Sequence, residues 1–376
     1  MNREVRAMGC AVIALMLAIC MALENVASGT ASVAQYSYKR TGPVRKVVIV
    51  GRDPRSVAVD DKTNRVFVIN AGSDNVSVLD AESGVVLRSV GVGNGPYTAV
   101  VDEHAGHVFV ANSRSGSVSV LDDRTGTVLH TTRVGISPFA LAVDEHNGRV
   151  FVINSDSNNV SMLDAHSGAM LYTAGVGQGP ISVAVDAYAG HVFVGNGLGS
   201  SVSILSATTG HVLHTSLVGN APIVMAVDAR ANHVFVGNGL SGSVTMLDAH
   251  TGVTLRTVKA GVSPASIAVD ALTGRVFVGD AFQSTVTMLD SQTGTVLHRI
   301  RVGNTPEVAA ISERLGRVFV VNSRSSSVSV LDARTGAIQQ TVPVGKNPLG
   351  FAVDVQGKHA FVTNRGDNTV SVLDLN

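Results

Sequence analysis

A single glutamate stands out among the side chains of this 376-residue chain that could act on a bound molecule. Glu307 follows Pro306, at a position where comparable segments of the chain carry mostly apolar residues. A carboxylate there can serve as a general base, and a neighbouring guanidinium can stabilise an oxyanion. If the protein is an enzyme, we expect Glu307 to act with Arg55 or Arg324.

Two kinds of loop carry further side chains that could bind a ligand. One loop reads Val-Gly-x-x-Pro, and the other follows a short apolar run that contains Phe. Loops near both ends of the chain are rich in charge, whereas those in the middle carry apolar residues such as Ile136, Leu198, Leu240, Val262 and Phe282. The predicted ligand-binding residues are Arg55, Tyr97, Arg114, Phe139, Arg324, Lys346 and Arg365.

The sequence contains no familiar signature of a metal or cofactor site. There is no Gly-x-Ser-x-Gly elbow, His-Glu-x-x-His helix, phosphate-binding loop or complete EF-hand. Several of the twelve histidines share repeat positions with Arg or Lys, which indicates solvated surface. The only cysteines are Cys10 and Cys20, in the N-terminal apolar segment. We therefore predict no metal and no cofactor.

The elements that must position these loops repeat every 42 residues. Each unit holds four short runs rich in β-branched residues, separated by Gly, Pro and Asp turns. The repeated phenylalanines are Phe67, Phe109, Phe151, Phe193, Phe235, Phe277, Phe319 and Phe361. Four strands per unit of this length are typical of a β-propeller blade. We predict an all-β protein in which Phe fills the gaps between blades.

The count of units predicts how the ring closes. Thr41–Asn376 holds eight units: Thr41-Gly42 matches the second half of the turn before a fourth strand, and Asp374-Leu375-Asn376 matches its first half. We predict an eight-bladed β-propeller with four antiparallel strands per blade. The N-terminal strand, Val44–Val50, should pair with Val370–Leu373 of the last blade and remove the open sheet edge. Units seven, eight, one and two then form one contiguous charged arc.

The repeat also resembles a known family. Phe361-Val362-Thr363-Asn364, with the Val-Gly-x-x-Pro and Val-Ser-Val-Leu-Asp segments, is similar to the YVTN-type β-propeller repeat, with Phe in place of Tyr. The resemblance covers Thr41–Asn376 and extends to the YncE-like secreted bacterial propellers. It implies a propeller fold and either a binding role or lactonase-like hydrolysis of a small cyclic ester. Many relatives have seven blades, so eight units depart from the pattern.

The N-terminus resembles an export signal. Arg3 and Arg6 precede an apolar run over Cys10–Leu23, and small residues follow it. We predict a signal peptide over residues 1–34, a short lead-in over residues 35–40 and the propeller over residues 41–376. Cleavage near Ala27 and an uncleaved anchor are the alternatives. The expected location is the periplasm, the medium or the cell surface of a bacterium.

These observations favour an exported, non-enzymatic protein that binds partners through its loop face. The partner could be a protein, a glycan or a cell-envelope polymer, with single-stranded nucleic acid the less favoured option because the net charge is zero. We expect a monomer without a membrane span after signal cleavage. The alternatives are the lactonase-like hydrolase and a purely structural envelope or surface protein.

Overall fold

The structure is a computed structural model, which describes residues 44–354 and 358–375. The predicted signal peptide and lead-in, residues 1–34 and 35–40, lie outside the described residues. No helix in the described ranges is long and apolar enough to cross a membrane.

The described residues form 32 strands, which are numbered here in chain order. The first sixteen are β1 Val44–Ile49, β2 Pro54–Asp60, β3 Arg65–Asn70, β4 Asn75–Asp80, β5 Val86–Gly91, β6 Pro96–Asp102, β7 His107–Asn112, β8 Ser117–Asp122, β9 Val128–Arg133, β10 Pro138–Asp144, β11 Arg149–Asn154, β12 Asn159–Asp164, β13 Met170–Gly175, β14 Pro180–Asp186, β15 His191–Asn196 and β16 Ser201–Ser206. The remainder are β17 Val212–Leu217, β18 Pro222–Asp228, β19 His233–Asn238, β20 Ser243–Asp248, β21 Thr254–Lys259, β22 Pro264–Asp270, β23 Arg275–Asp280, β24 Thr285–Asp290, β25 Val296–Arg301, β26 Pro306–Ser312, β27 Arg317–Asn322, β28 Ser327–Asp332, β29 Ile338–Pro343, β30 Pro348–Val353, β31 His359–Asn364 and β32 Thr369–Asp374.

The strands assemble into eight four-stranded antiparallel sheets, as the repeat predicts. Blade 1 has the order β2-β3-β4-β5, and blades 2 to 7 follow the same pattern. Blade 8 has the order β30-β31-β32-β1, so the first strand is the outer strand of the last blade. Val48 pairs with Val370 and Ile49 with Thr369. The prediction of an eight-bladed propeller closed by its N-terminal strand is confirmed.

The repeated phenylalanines pack between neighbouring blades. All eight are fully buried. Phe67, for example, belongs to a cluster that joins Val78 of its own blade to Val108 and Leu121 of the next. Both faces of a middle strand are therefore apolar, which explains why the sequence of β3 does not alternate between apolar and polar residues. Packing between blades provides the core of the ring.

One irregularity of the inner strands matters for the site. In blade 1 the register between β2 and β3 shifts between Pro54 and Ser56, so Arg55 lies in a β-bulge. A shift follows the proline of every inner strand. Bulges re-aim side chains at the ends of strands. The residue after each proline is half-buried throughout the ring: Arg55, Tyr97, Phe139, Ile181, Ile223, Ala265, Glu307 and Leu349.

The two kinds of loop singled out by the sequence meet at one end of the ring. Ala71 N–H donates to Asp53 O, and Gly72 N–H donates to Arg52 O, both at 2.9 Å. Asp53 N–H also donates to Asn368 Oδ1 of blade 8, at 2.9 Å. This end, with loops such as 50–53 and 71–74, is called the Gly-Pro face. The other end, with loops such as 61–64 and 81–85, is the opposite face.

The positions that alternate between His and Arg are not simply solvated surface, contrary to our expectation. His107 Nδ1 lies 2.8 Å from the carbonyl oxygen of Ala165 in the next blade. Arg317 Nη1 donates to Leu375 O at 2.7 Å. Arg65 instead bonds Asp80 of its own blade at 3.3 Å. These half-buried side chains hold loops together on the opposite face.

Candidate functional site

The charged residues of the Gly-Pro face are organised around Asp53, in the loop that joins β1 to β2. Its Oδ2 accepts a hydrogen bond from Arg55 Nε at 2.8 Å, and its Oδ1 accepts one from Arg365 Nε at 2.7 Å. The side chains of Arg55 and Arg365 are only 17% and 10% exposed. One carboxylate therefore fixes two guanidinium groups that come from blades 1 and 8.

The two arginines also determine the protonation of this carboxylate. Burial by itself would raise the pKa of Asp53, but the hydrogen bonds and positive charges of Arg365 and Arg55 outweigh it. The pKa of Asp53 is consequently lowered from its ordinary value of 3.8. Asp53 stays ionised at neutral pH and keeps both arginines in place.

Aromatic rings continue the cluster into blades 2 and 3. Arg55 Cζ lies 5.4 Å from the centroid of the Tyr97 ring, within the range of a cation–π contact. The Tyr97 and Phe139 rings lie with centroids 4.5 Å apart and planes inclined by 31°. Because these residues occupy the same bulge position in successive blades, the bulges place them side by side.

Glu307 lies at the other end of the same row, in blade 7. Burial raises its pKa, and this effect outweighs a hydrogen bond with Ser323 and the charges of Arg365 and Arg324. Glu307 is thus within electrostatic range of the arginine that bonds Asp53. We call the full row the rim ladder: it comprises Glu307, Arg365, Asp53, Arg55, Tyr97 and Phe139.

The other predicted basic residues surround the rim ladder rather than joining it. Arg114, Arg324 and Lys346 are exposed. The side chain of Arg114 lies against Gly95, where an added Cβ would come within 2.7 Å of its Cγ. Lys346 is positioned through its backbone, whose N–H donates to Asp367 Oδ2 at 2.6 Å. With Arg52, also exposed, they form a cationic margin.

Blades 3 to 6 present apolar side chains on the same face. Their exposed fractions are substantial for residues of this type: Ile136 65%, Leu198 38%, Leu240 47%, Val262 52% and Phe282 57%. These five side chains lie in the loops of blades 3 to 6, and together we call them the apolar patch. The Gly-Pro face is therefore half charged and aromatic, and half apolar.

Asp280 explains how two of these apolar residues are held outward. It replaces the Asn found in the other units and is fully buried. Its Oδ2 accepts hydrogen bonds from the backbone N–H groups of Val262 and Ser263. Its Oδ1 accepts from Phe282 and Gln283, at 2.9 and 3.0 Å. A carboxylate accepts at both oxygens, so it anchors both loops of blade 6.

Sequence reasoning missed a polar cluster on the opposite face. Asp102, His104 and Glu145 each offer a ligand atom, and these atoms lie within 4.8 Å of one another. The signal was present in the sequence as Asp-Glu-His at residues 102–104 and again at 144–146. Asp123 is a further departure, since the equivalent residues are Ala, Ser or Leu.

Asp123 lies beside the carboxylate of Asp60 in the preceding blade. Burial raises the pKa of Asp123, and the charge of Asp60 and a hydrogen bond with it raise the pKa further. Two carboxyl groups in this position cannot both ionise without repulsion. The opposite face therefore contains two neighbouring carboxyl groups whose negative charges repel each other. The Gly-Pro face instead contains a carboxylate neutralised by two arginines.

The fold and the rim define a class of protein: an eight-bladed β-propeller with a divided, non-repeating surface at one end. The chain belongs to the family described as outer membrane protein assembly factor BamB, whose model matches residues 114–256 and 199–374. That description refers to a process of the bacterial envelope. No curated protein matches the chain.

Solved structures with the same fold share little sequence with this chain. The computationally designed Ika8 protein is 19% identical, with a TM-score of 0.71, covering 87% of this chain and 98% of its own. Sqt1 of Saccharomyces cerevisiae is 12% identical, with a TM-score of 0.77 and coverage of 90% and 100%. Hydrazine synthase of Kuenenia stuttgartiensis is 16% identical, with a TM-score of 0.61 and coverage of 92% and 100%. At these identities the likeness concerns the fold alone.

Proposed function

We propose that this protein is an exported, non-enzymatic scaffold that binds another protein of the bacterial envelope on its Gly-Pro face. The observation that carries the proposal is the division of that face. Arg52, Arg114, Arg324 and Lys346 are exposed around the rim ladder, and five exposed apolar side chains continue the surface. The matching partner is a segment with acidic and apolar side chains on the same side.

The rim ladder suits such binding because it is already ordered. Asp53 holds Arg55 and Arg365 at 2.8 and 2.7 Å, and Tyr97 lies against Phe139 at 4.5 Å. Side chains fixed before association lose less conformational entropy when a partner arrives. Arginine and tyrosine are also enriched at the centres of protein interfaces. The ladder would form that centre, and the apolar patch would add area.

The family supports a protein partner, since an assembly factor works on other proteins. The predicted signal peptide and the resemblance to YncE-like secreted propellers with YVTN-type repeats support export. Glycans, cell-wall polymers and single-stranded nucleic acids offer few apolar groups to the half of the face formed by blades 3 to 6. A protein segment therefore fits the whole face better than these ligands do.

Capture of partners from the extracytoplasmic fraction of the source bacterium tests the proposal. The tagged chain carries a photo-crosslinking residue at position 136, and crosslinked proteins are identified by mass spectrometry. We expect a specific product that falls at least tenfold when Leu240 and Phe282 are both changed to Ser. Removing two apolar contacts from an interface of ordinary size is sufficient for a loss of this order.

The matched control is Tyr188→Ser on the opposite face, where the tyrosine is 94% exposed. This variant removes a comparable apolar surface and should leave the crosslink unchanged. Equal products from wild type and the Leu240/Phe282 variant would contradict the assignment of the face. A product that depends equally on Tyr188 would indicate non-specific adhesion.

The raised pKa of Glu307 favours one second candidate, hydrolysis of a small cyclic ester. A carboxyl group with a raised pKa is a better general base near neutral pH, and the guanidinium of Arg324 or Arg55 would stabilise the oxyanion. Asp53 and Tyr97 already engage Arg55, so Arg324 is the freer of the two to move. Lactone turnover that is lost in Glu307→Gln and retained in Glu313→Gln would support this function. Equal turnover by the wild type and Glu307→Gln, or no turnover by the wild type, would contradict this function.

A further inference from the structure

The polar cluster on the opposite face joins blade 2 to blade 3. Asp102 ends β6, and His104 follows it in the loop before β7. Glu145 occupies the position after Asp144, one blade further on. His104 Nδ1 lies 3.0 Å from Glu145 Oε2, and a carboxylate oxygen of Asp102 lies within 4.8 Å of the ligand atoms of both.

Asp102 gives this cluster a feature that an ordinary surface ion pair lacks. Its side chain is buried, with the residue only 1% exposed. Oδ1 accepts the N–H of Ala105 at 2.8 Å, but the buried Oδ2 has no hydrogen-bond partner among the described residues. An unsatisfied buried carboxylate oxygen costs free energy unless a cation or donor completes it. The equivalent Asp60 of blade 1 also has an unpartnered Oδ2, but only at Asp102 does this buried carboxylate lie beside a histidine and a glutamate among the described residues.

The next blade shows how the same position is completed without a ligand. Asp144 is equivalent to Asp102, and its Oδ2 accepts a hydrogen bond from Asn147 Nδ2 at 2.7 Å. Position 105 is Ala in blade 2, so no side-chain amide is available there to donate to Oδ2. His146 is equivalent to His104, but position 187, which corresponds to Glu145, is Ala. All three ligand types thus coincide only between blades 2 and 3 within the described residues.

We propose that Asp102, His104 and Glu145 bind a divalent transition-metal ion of the Zn²⁺ class. Ligand atoms that share such an ion lie about 2.0–2.2 Å from it and so about 3 Å from each other, which agrees with the separation of His104 Nδ1 and Glu145 Oε2. One imidazole and two carboxylates favour Zn²⁺ over Mg²⁺ and Ca²⁺, which prefer oxygen ligands alone. With His104 75% exposed and Glu145 41% exposed, solvent fills the remaining positions. The ion would link two blades at a surface remote from the Gly-Pro face.

Isothermal titration of the purified chain with Zn²⁺ in a non-coordinating buffer tests this site. We expect the wild type to bind one Zn²⁺ ion tightly per chain. The affinity for this Zn²⁺ ion should fall at least tenfold in each of three variants, His104→Ala, Glu145→Gln and Asp102→Asn, since each removes one of three protein ligands. Titration with Mg²⁺ should give at least a hundredfold weaker binding. A Co²⁺ adduct should show visible absorption that depends on His104.

His146→Ala is the matched control, because it removes an exposed histidine from the equivalent loop of blade 3. It should bind Zn²⁺ like the wild type. Circular dichroism and the unfolding midpoint without metal establish that each variant is folded. Absence of a stoichiometric equivalent in the wild type would overturn the proposal. Equal weakening by His146→Ala and His104→Ala would also overturn it, since it would indicate scattered surface binding.

Discussion

The middle strands of the blades and the loops of the Gly-Pro face differ in how far they repeat. Every middle strand of the β3 type buries a phenylalanine completely, at the same position in all eight blades. The residue after the inner-strand proline changes from Arg55 to Tyr97, Phe139 and Glu307 around the same ring. Uniform residues make the packing between blades, and variable residues make the surface. Substitutions in the two regions should therefore have separable effects.

The largest expected change in the free energy of unfolding comes from a substitution in the packing between blades. Phe235→Ala removes a fully buried ring from the cluster that includes Met246, Ile267 and Val276. Lost burial and the remaining cavity should lower the free energy of unfolding by about 3–5 kcal/mol. Urea unfolding followed by circular dichroism measures this change.

Phe282→Ala is its control, because this phenylalanine is 57% exposed on the Gly-Pro face. Its free energy of unfolding should change by no more than about 0.5 kcal/mol. Similar losses in the two variants would mean that the face is part of the packed scaffold. The distinction between scaffold and surface would then fail.

An intermediate effect is expected from Asp53→Asn in the rim ladder. The change replaces one acceptor oxygen by a donor and removes the carboxylate charge that lies between Arg55 and Arg365. It should cost about 2 kcal/mol at pH 7. Because the pKa of Asp53 is lowered in the folded state, its contribution is present above 3.8 and is lost as the pH falls through the folded value. Urea unfolding of wild type and variant should therefore converge in acid, and a constant difference would contradict the ion-pair assignment.

The smallest effect, and one of opposite sign, is expected on the opposite face. Asp123→Asn removes the repulsion with Asp60 and should raise the free energy of unfolding by up to about 1 kcal/mol at pH 7. The folded-state pKa of Asp123 is raised, so the penalty in the wild type is absent below 3.8 and grows as the pH rises through the folded value. Thermal unfolding across this pH range should show the variant gaining its advantage only at the higher values.

Asp122 provides the comparison within the same turn. Hydrogen bonds from the Thr125 side chain and backbone, at 2.7 and 2.6 Å, lower the pKa of Asp122 despite some burial. Asp122→Asn should therefore destabilise the protein at neutral pH. If both variants shift stability in the same direction, the pairing of Asp123 with Asp60 is wrong.

Much of the scaffold could be predicted because each unit repeats the same physical constraints. Phe151 and its counterparts identify the interior. The two halves of one turn, at residues 41–42 and 374–376, predict the ring closure, which the pairing of β1 with β32 confirms. The Gly-Pro face was also predictable, because strand order places the proline loops and the loops after the Phe strands together.

The contacts within the face were not predictable to the same degree. Asp53 and Arg365 are 312 positions apart, and nothing in their spacing indicates which carboxylate meets which guanidinium. Asp280 stood out as a departure from Asn, but its four backbone donors depend on the local shape of two loops. The cluster around His104 was missed because its ligands come from two units and no single segment has metal-binding spacing.

The pairing of β1 with β32 has a consequence for biosynthesis. Among the described strands, β1 leaves the ribosome first and its partner β32 leaves last, so β1 has no partner strand until β32 has been made. Until then the growing chain exposes an unpaired strand at each end. A partially made chain is therefore open to incorrect strand pairing, and the pairing of β1 with β32 ends that exposure.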